Sequence, residues 1–266
     1  MSSAIPITLA PDPVFPQRDR LLDSTTLLPR LAEHLGLQGT LHIDQGERLR
    51  AKYRIGESLR LVHRLQVQGS EFLVATRTFP TERSAAAYQQ AASMTVPCGP
   101  LRAVAYDAEY HTVIWTFPND RKLLQLKALR DAPAALANLL ERPWHSSRLV
   151  AYAPEKSATA QCLDAAGETL AYVKMYAGGE GQEKYHIHRT LWQSLRTDDP
   201  YLQLPRAVAY CAPYQALFLA PAVGQRLDAL GETGREDGLQ RFGTALARFH
   251  TLSPTASLPR FTRLDF

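Results

Sequence analysis

The chain has 266 residues, of which 45% are hydrophobic, so it is long enough to form about two domains with buried cores. Its net charge is only +4 and no five consecutive residues are Lys or Arg, which argues against a nucleic-acid-binding protein. No apolar run reaches the length of a membrane span and the N-terminus has no signal-peptide pattern, so we expect a cytoplasmic protein that does not cross a membrane.

The three cysteines, Cys98, Cys162 and Cys211, are widely spaced and form no CxxC pair. An odd and sparse set of this kind predicts neither a disulfide framework nor a zinc site. We therefore expect reduced thiols and no metal site.

The first predicted element is a helix at residues 24–36, which begins with polar residues and ends at a glycine. Its apolar stripe consists of Leu28, Leu31, Ala32 and Leu35. This pattern predicts an N-terminal helical segment over residues 1–37.

The pentapeptide RAVAY occurs twice, at residues 102–106 and 206–210, and the similarity extends beyond it. Downstream, the two copies stay in register without a gap as far as Leu123 and Leu227. Upstream, residues 49–79 parallel residues 147–176, and each stretch contains three predicted strands with a hairpin. The sequence therefore predicts a β-β-β-α-β-β module that is present twice, with RAVAY as its fourth strand.

Helical patterns follow the third strand of each module. Residues 81–94 are rich in alanine, with Thr81 as an N-cap. Residues 183–195 place four side chains with apolar or ring groups near one helix face: Tyr185, His188, Trp192 and Leu195.

Two further helices follow the modules in the predicted order. Residues 131–143 form one that ends the first module, with Pro143 at the boundary. The second begins at a capping box of Thr233 and Glu236 and is followed by a loop over the last residues. Its apolar stripe consists of Leu239, Phe242, Leu246 and Phe249. We predict an α+β fold whose segments are 1–37, 38–143 for the first module, 144–230 for the second, and 231–266.

Five strands with one helix after the third is the order of elements in a protein-kinase N-lobe. Phosphoryl transfer uses a cation on the third strand and a carboxylate on the following helix. Lys174 lies in the third strand of the second module, Glu183 opens the next helix, and Glu180 is a looser candidate. A lysine inside an apolar strand is costly to bury, which favours a functional role. The alternative is that Lys174 faces solvent. The alternation of residues along the strand does not distinguish the two, because both faces of the strand carry apolar residues.

The second module resembles the aminoglycoside-phosphotransferase-like branch of the kinase superfamily. The resemblance covers roughly residues 148–252 and is carried by RLVAYAPEKSATAQ (148–161), AYVKMY (171–176), RTLWQSL (189–195), LPRAVAY (204–210), LFLAPAVGQRLDAL (217–230) and QRFGTALARFHTL (240–252). It implies a kinase-like N-lobe that binds ATP and Mg²⁺ and transfers phosphate to a hydroxyl of an aminoglycoside, sugar, choline-like or similar small molecule. It also implies that Lys174 holds the ATP phosphates and that the backbone of Ala220, Ala222 and Val223 meets adenine, while the glutamate that pairs with Lys174 is either Glu183 or Glu180.

The first module departs from this family pattern. Arg77 falls opposite Lys174, and its helix partner is either Glu82 or none. Arginine can hold phosphate but is not the usual residue at this position. We predict that the first module is a non-catalytic, degenerate duplicate, with a second, degenerate nucleotide site as the alternative.

The catalytic loop of the family, an H-G-D-x-x-x-x-N motif, does not occur in the 266 residues. The one His-x-Asp sequence, His42-Ile43-Asp44, precedes the first module and lacks the following Asn. We therefore expect the chain to be the N-terminal part of a phosphotransferase, without the helical C-lobe and inactive by itself. The last helix would then expose apolar residues and promote self-association. The alternative is a non-catalytic binding or regulatory protein built from two such modules.

Overall fold

The computed structural model describes residues 9–80, 83–93, 95–131, 133–195 and 201–251. The chain falls into two compact units, which meet in the sequence between Lys127 and Ala128. Each unit contains one five-stranded antiparallel sheet together with helices, which confirms the predicted mixed α+β architecture and the duplicated sheet module.

The first unit begins with two helices that precede the sheet. Its elements are α1 (Arg18–Leu22), α2 (Ser24–Leu35), β1 (Gln45–Arg54), β2 (Ser58–Val67), β3 (Ser70–Thr78), α3 (Ser84–Ala92), β4 (Val104–Asp107) and β5 (Thr112–Thr116). The strands lie in the order β1-β2-β3-β5-β4, and every neighbouring pair is antiparallel.

The second unit repeats this arrangement and then adds a long helix. Its elements are α4 (Ala128–Asp131), α5 (Ala134–Ala137), β6 (Ser146–Ala153), β7 (Ser157–Leu163), β8 (Thr169–Tyr176), α6 (Glu180–Ser194), β9 (Ala207–Cys211), β10 (Ala216–Leu219) and α7 (Glu232–His250). The strand order β6-β7-β8-β10-β9 is that of the first sheet. The two RAVAY copies supply β4 and β9, so the prediction that they form the fourth strand is confirmed.

Strand pairing shows that the two sheets also match residue by residue. Directly paired residues of antiparallel strands lie on the same side of a sheet. In the first sheet one such row runs Arg60, Arg77, Val113, Tyr106. In the second it runs Thr159, Lys174, Leu217, Tyr210. The predicted equivalence of Arg77 and Lys174 is therefore confirmed, and we call these two sides the Arg77 face and the Lys174 face.

The helix after the third strand packs on this side of each sheet. Tyr88 of α3 stacks on Tyr106 with ring centroids 5.4 Å apart, and Tyr185 of α6 stacks on Tyr210 at 5.7 Å. A Cβ atom on Gly181 would lie only 3.0 Å from the Tyr210 ring, so glycine permits the close approach of α6. The duplication thus includes the contact between helix and sheet.

The opposite side, which we call the back face, is covered by the helices that precede each sheet. In the first unit, Leu31 and Leu35 of α2 belong to one buried cluster with Leu61 and Ile114. In the second unit Trp144, which follows α5, packs edge-on against Phe218, with ring centroids 6.1 Å apart. Each repeat is therefore a set of leading helices, a sheet and one further helix.

Several helix boundaries differ from the sequence interpretation. Residues 131–143 were expected to form one helix that ends the first module. The structure has only the short α4 and α5 there, and both belong to the second unit. The capping box of Thr233 and Glu236 is wrong, because α7 begins at Glu232 with Gly231 as N-cap and Thr233 lies inside the helix. Thr81 and the predicted C-terminal loop lie outside the described residues.

The length and hydrophobicity of the helices bear on membrane insertion. None of those that the structure describes, including the 19 residues of α7, is both long and apolar enough to span a lipid bilayer.

A buried histidine in the first sheet predicts acid sensitivity. His63 lies on the back face of β2 with 1% of its surface exposed, and burial, assisted by the charge of Arg48, lowers its pKa to about 4. The unfolded chain binds a proton near pH 6.5, so the stability contributed by the neutral imidazole is complete above that pH and is lost as the pH falls towards 4. We expect a loss of about 3 kcal/mol across this interval.

The variant His63→Leu tests this expectation by urea unfolding between pH 7 and pH 4. It should lose about 3 kcal/mol less than the parent chain over that range. His42→Gln is the control, because the His42 side chain is 88% exposed. If His63→Leu loses as much stability on acidification as the parent, the buried imidazole is not the cause.

Candidate nucleotide site

Lys174 lies in the middle of β8 on the more open side of the second sheet. Its neighbours Val173 and Met175 point to the back face and are fully buried, whereas Lys174 is half-buried. The Lys174 ammonium lies 5.2 Å from the centroid of the Tyr176 ring, a distance typical of a cation–π contact. The structure therefore resolves what the apolar alternation left open: Lys174 faces away from the closed core.

The carboxylates expected to pair with Lys174 are at the start of α6. Glu180 and Glu183 are both exposed, and in the described part of the chain neither forms an ion pair with Lys174. Burial raises the pKa of Tyr176, and the charge of Glu180 raises it further. Of the two carboxylates, Glu180 is therefore the one that acts on the aromatic ring beneath Lys174.

The segment after β10 leaves its peptide groups accessible. The Ala220 N–H donates to the Arg206 carbonyl at 2.9 Å, and this bond ends the pairing of β9 with β10. Ala222 and Val223 are exposed, and within the described residues their backbone groups make no hydrogen bond. Exposed N–H and C=O groups of this kind can pair with the edge of a planar heterocycle.

A polar network that the sequence did not reveal crosses the Lys174 face. The Gln161 side chain accepts a hydrogen bond from Arg148 at 2.5 Å and donates to the Tyr172 hydroxyl at 3.0 Å and to the Thr169 hydroxyl at 3.2 Å. The network fixes Tyr172, two residues before Lys174. Apolar and polar residues alternate weakly in this region, so no sequence signal pointed to it.

The turn between the first two strands differs between the copies. In the second unit Glu155 occupies it with φ of 61° and only 7% of its surface exposed. Its counterpart in the first unit is Gly56, with φ of 67°. The Gly56 N–H donates to the Asp12 carboxylate at 3.0 Å, and Asp12 also accepts a hydrogen bond from Tyr53.

These contacts show that the first unit fills its own turn with an anion. The hydrogen bond from Tyr53, followed by that from Gly56, holds the pKa of Asp12 below its usual value, so the carboxylate is charged. The turn between β1 and β2 of the first unit therefore already holds a negatively charged side chain, the carboxylate of Asp12.

The two copies differ most in the segment that follows the fifth strand. In the first unit Asn119 is buried, and its side-chain amide donates to the carbonyls of Val96 and Thr116. The repeat aligns Asn119 with Val223, which is fully exposed. The segment after the fifth strand is thus held by a buried side chain in the first unit and is exposed at the equivalent position of the second.

The apolar stripe of α7 is exposed, as expected from the sequence. Between 38% and 60% of each side chain is accessible, for Leu239, Phe242, Leu246 and Phe249. The structure contains a single chain, so self-association through this helix stays a prediction.

No protein-family model matches the chain, and comparison with curated proteins and with solved structures finds no match. Within the described residues no group of three or more His, Cys, Asp or Glu side chains is arranged to bind a metal ion. The functional interpretation therefore rests on the geometry of the second unit.

Proposed function

We propose that the second unit is the nucleotide-binding lobe of an ATP-dependent phosphotransferase that acts on a small-molecule hydroxyl. The observation that carries this proposal is the half-buried Lys174 on the third strand of a sheet with the strand order β6-β7-β8-β10-β9 and with α6 between its third and fourth strands. This is the order of elements in a kinase N-lobe.

Three of the predicted residues have a role in this proposal. Lys174 holds phosphate oxygens through its ammonium group, and the exposed backbone of Ala222 and Val223 meets the adenine edge. ATP supplies the phosphoryl group. The described residues contain no cluster of three or more His, Cys, Asp or Glu side chains that could hold a metal ion. Since the 266 residues contain no H-G-D-x-x-x-x-N motif, we expect them to bind nucleotide without transferring phosphate.

The first unit is proposed to be a non-catalytic duplicate. Arg77 occupies the lysine position and lies 4.4 Å from the Phe79 ring, which mirrors the contact between Lys174 and Tyr176. The Asp12 carboxylate accepts the hydrogen bond from Gly56 in its turn, so the backbone of that turn is already bonded within the first unit.

Mg-ATP is expected to raise the melting temperature of the chain. For a dissociation constant of about 0.5 mM, about 5 mM ATP stabilises the folded state by about 1.4 kcal/mol. This corresponds to roughly 3 °C for a unit of this size. Scanning calorimetry with and without nucleotide measures the shift, and Lys174→Ala should abolish it. Arg77→Ala is the matched control at the equivalent position. Mg-ATP should raise the melting temperature of this variant by as much as it raises that of the parent.

A second candidate function, a non-catalytic binding or regulatory protein, is favoured by two observations. Lys174 has no carboxylate partner in the described residues, and Glu155 places an acidic side chain in the turn where phosphates would lie. This function predicts no change in melting temperature with Mg-ATP. An equal shift in Lys174→Ala and the parent would also reject the proposed nucleotide site.

A further inference from the structure

A cavity of about 330 Å³ lies at one end of the second sheet, beside the segment after β10. Leu140, Leu170, Val208 and Pro221 supply apolar surface to its walls. Lys174 lies four residues beyond Leu170 on β8, which is about 13 Å along an extended strand. The cavity is therefore separate from the proposed phosphate position, and its volume is in the range of small-molecule sites.

Two charged side chains at this cavity are without a partner in the part of the chain that the structure describes. Arg206 and Glu141 both line it, both are exposed, and neither forms an ion pair or a side-chain hydrogen bond there. The third charged residue, Arg142, is already paired with Asp164 at 2.8 Å. The cavity thus offers one cation and one anion to a ligand.

The internal repeat shows why the arginine is unused in the second unit. Its counterpart in the first unit, Arg102, donates from its side chain to the Gly36 carbonyl at 3.1 Å. The Arg102 N–H also donates to the Leu35 carbonyl at 2.7 Å, so the end of α2 occupies this position. The equivalent helix of the second unit, α5, has four residues instead of twelve. The shorter helix leaves both the space and the guanidinium group available.

We propose that this cavity binds a small zwitterion with an apolar body, of the class of an α-amino acid with a hydrocarbon side chain. The carboxylate pairs with Arg206, the ammonium group pairs with Glu141, and the hydrocarbon packs against Leu140 and Leu170. A simple anion would meet the negative charge of Glu141, and an uncharged apolar molecule would gain nothing from either charged group. The proposal does not depend on nucleotide binding.

The experiment uses the full chain without nucleotide and measures binding by calorimetric titration. The probes are L-phenylalanine and L-leucine, each up to about 10 mM, together with 3-phenylpropionate, which lacks the amine, and phenethylamine, which lacks the carboxylate. We expect at least one amino acid to bind, and each analogue that lacks one charge to bind about tenfold more weakly or less. Failure of both amino acids to bind, or equal binding of 3-phenylpropionate, overturns the proposal.

Three variants assign the binding to this cavity. Arg206→Gln and Glu141→Gln should each weaken the amino acid about tenfold or more, because each removes one charge. Leu140→Trp should block binding while both charges remain, because it fills the cavity. Arg235→Gln, on α7 away from the cavity lining, is the control and should bind as the parent does. Unchanged affinity in Arg206→Gln or in Leu140→Trp places the ligand elsewhere and overturns the assignment.

Discussion

Replacing Arg30 by methionine is expected to destabilise the first unit by roughly 3–5 kcal/mol. Arg30 of α2 donates two hydrogen bonds to the carboxylate of Asp107 on β4, at 2.6 and 2.7 Å, and Asp107 also accepts from the Tyr110 N–H at 3.0 Å. The Asp107 side chain is only 3% exposed. Without Arg30 the buried charge of Asp107 would keep only the Tyr110 N–H and His34, whose Nε2 lies 3.6 Å away, and losing one partner of a buried pair costs more than the pair itself contributes.

Unfolding in urea, monitored by hydrogen exchange of peptides from the first unit, measures this loss of stability. The double variant Arg30→Met/Asp107→Leu should recover most of it, since no buried charge remains. Arg54→Met is the matched control, because Arg54 and Glu57 form an exposed pair at 3.2 Å, and it should cost less than about 1 kcal/mol. A loss in Arg30→Met no larger than that of the control would contradict this account.

The same pair has a defined pH dependence. Burial raises the pKa of Asp107, but the hydrogen bonds from Arg30 and from the Tyr110 N–H outweigh this and leave the pKa below its usual value. The contribution of the carboxylate is therefore present above the pKa of an unfolded aspartate, near 3.9, and is lost as the pH falls below it. The loss of stability caused by protonation of His63 begins at a higher pH, so the two effects can be measured in different pH ranges.

The duplicated fold could be predicted because each repeat carries its own local signals. RAVAY and the strands around it alternate in a way that a pleated strand requires, and the register of Arg102–Leu123 with Arg206–Leu227 has no gap. The equivalence of Arg77 and Lys174 followed from the same alignment, and strand pairing confirms it. Local pattern and strand register were sufficient for this part of the fold.

The face on which Lys174 lies could not be predicted, because residues outside the sheet determine which face is fully buried. Val173 and Tyr172 look alike in an apolar pattern, yet Val173 is fully buried on the back face, where Trp144 packs against Phe218, and Tyr172 is only partly buried. The cavity beside Arg206 depends on the length of α5. The sequence predicted a helix over residues 131–143, but helical propensity does not define where so short a helix ends.

The last and most direct comparison uses one residue type at two equivalent positions. Leu123 and Leu227 are identical in the repeat, but Leu123 is fully buried whereas Leu227 is 36% exposed. Leu123→Ala should therefore cost roughly 2–5 kcal/mol, since it creates a cavity in a closed core. Leu227→Ala should cost less than about 1 kcal/mol, since little buried surface is lost.

Hydrogen exchange of each unit in urea distinguishes the two losses, because the first variant should affect only peptides before residue 128 and the second only those after it. A large loss in Leu227→Ala would show that Leu227 packs more tightly in solution than its exposure indicates. A small loss would show that the segment after the fifth strand contributes little to the stability of the second unit. The identical leucines thus measure how far the two copies have diverged in this segment, which is buried at Leu123 and partly exposed at Leu227.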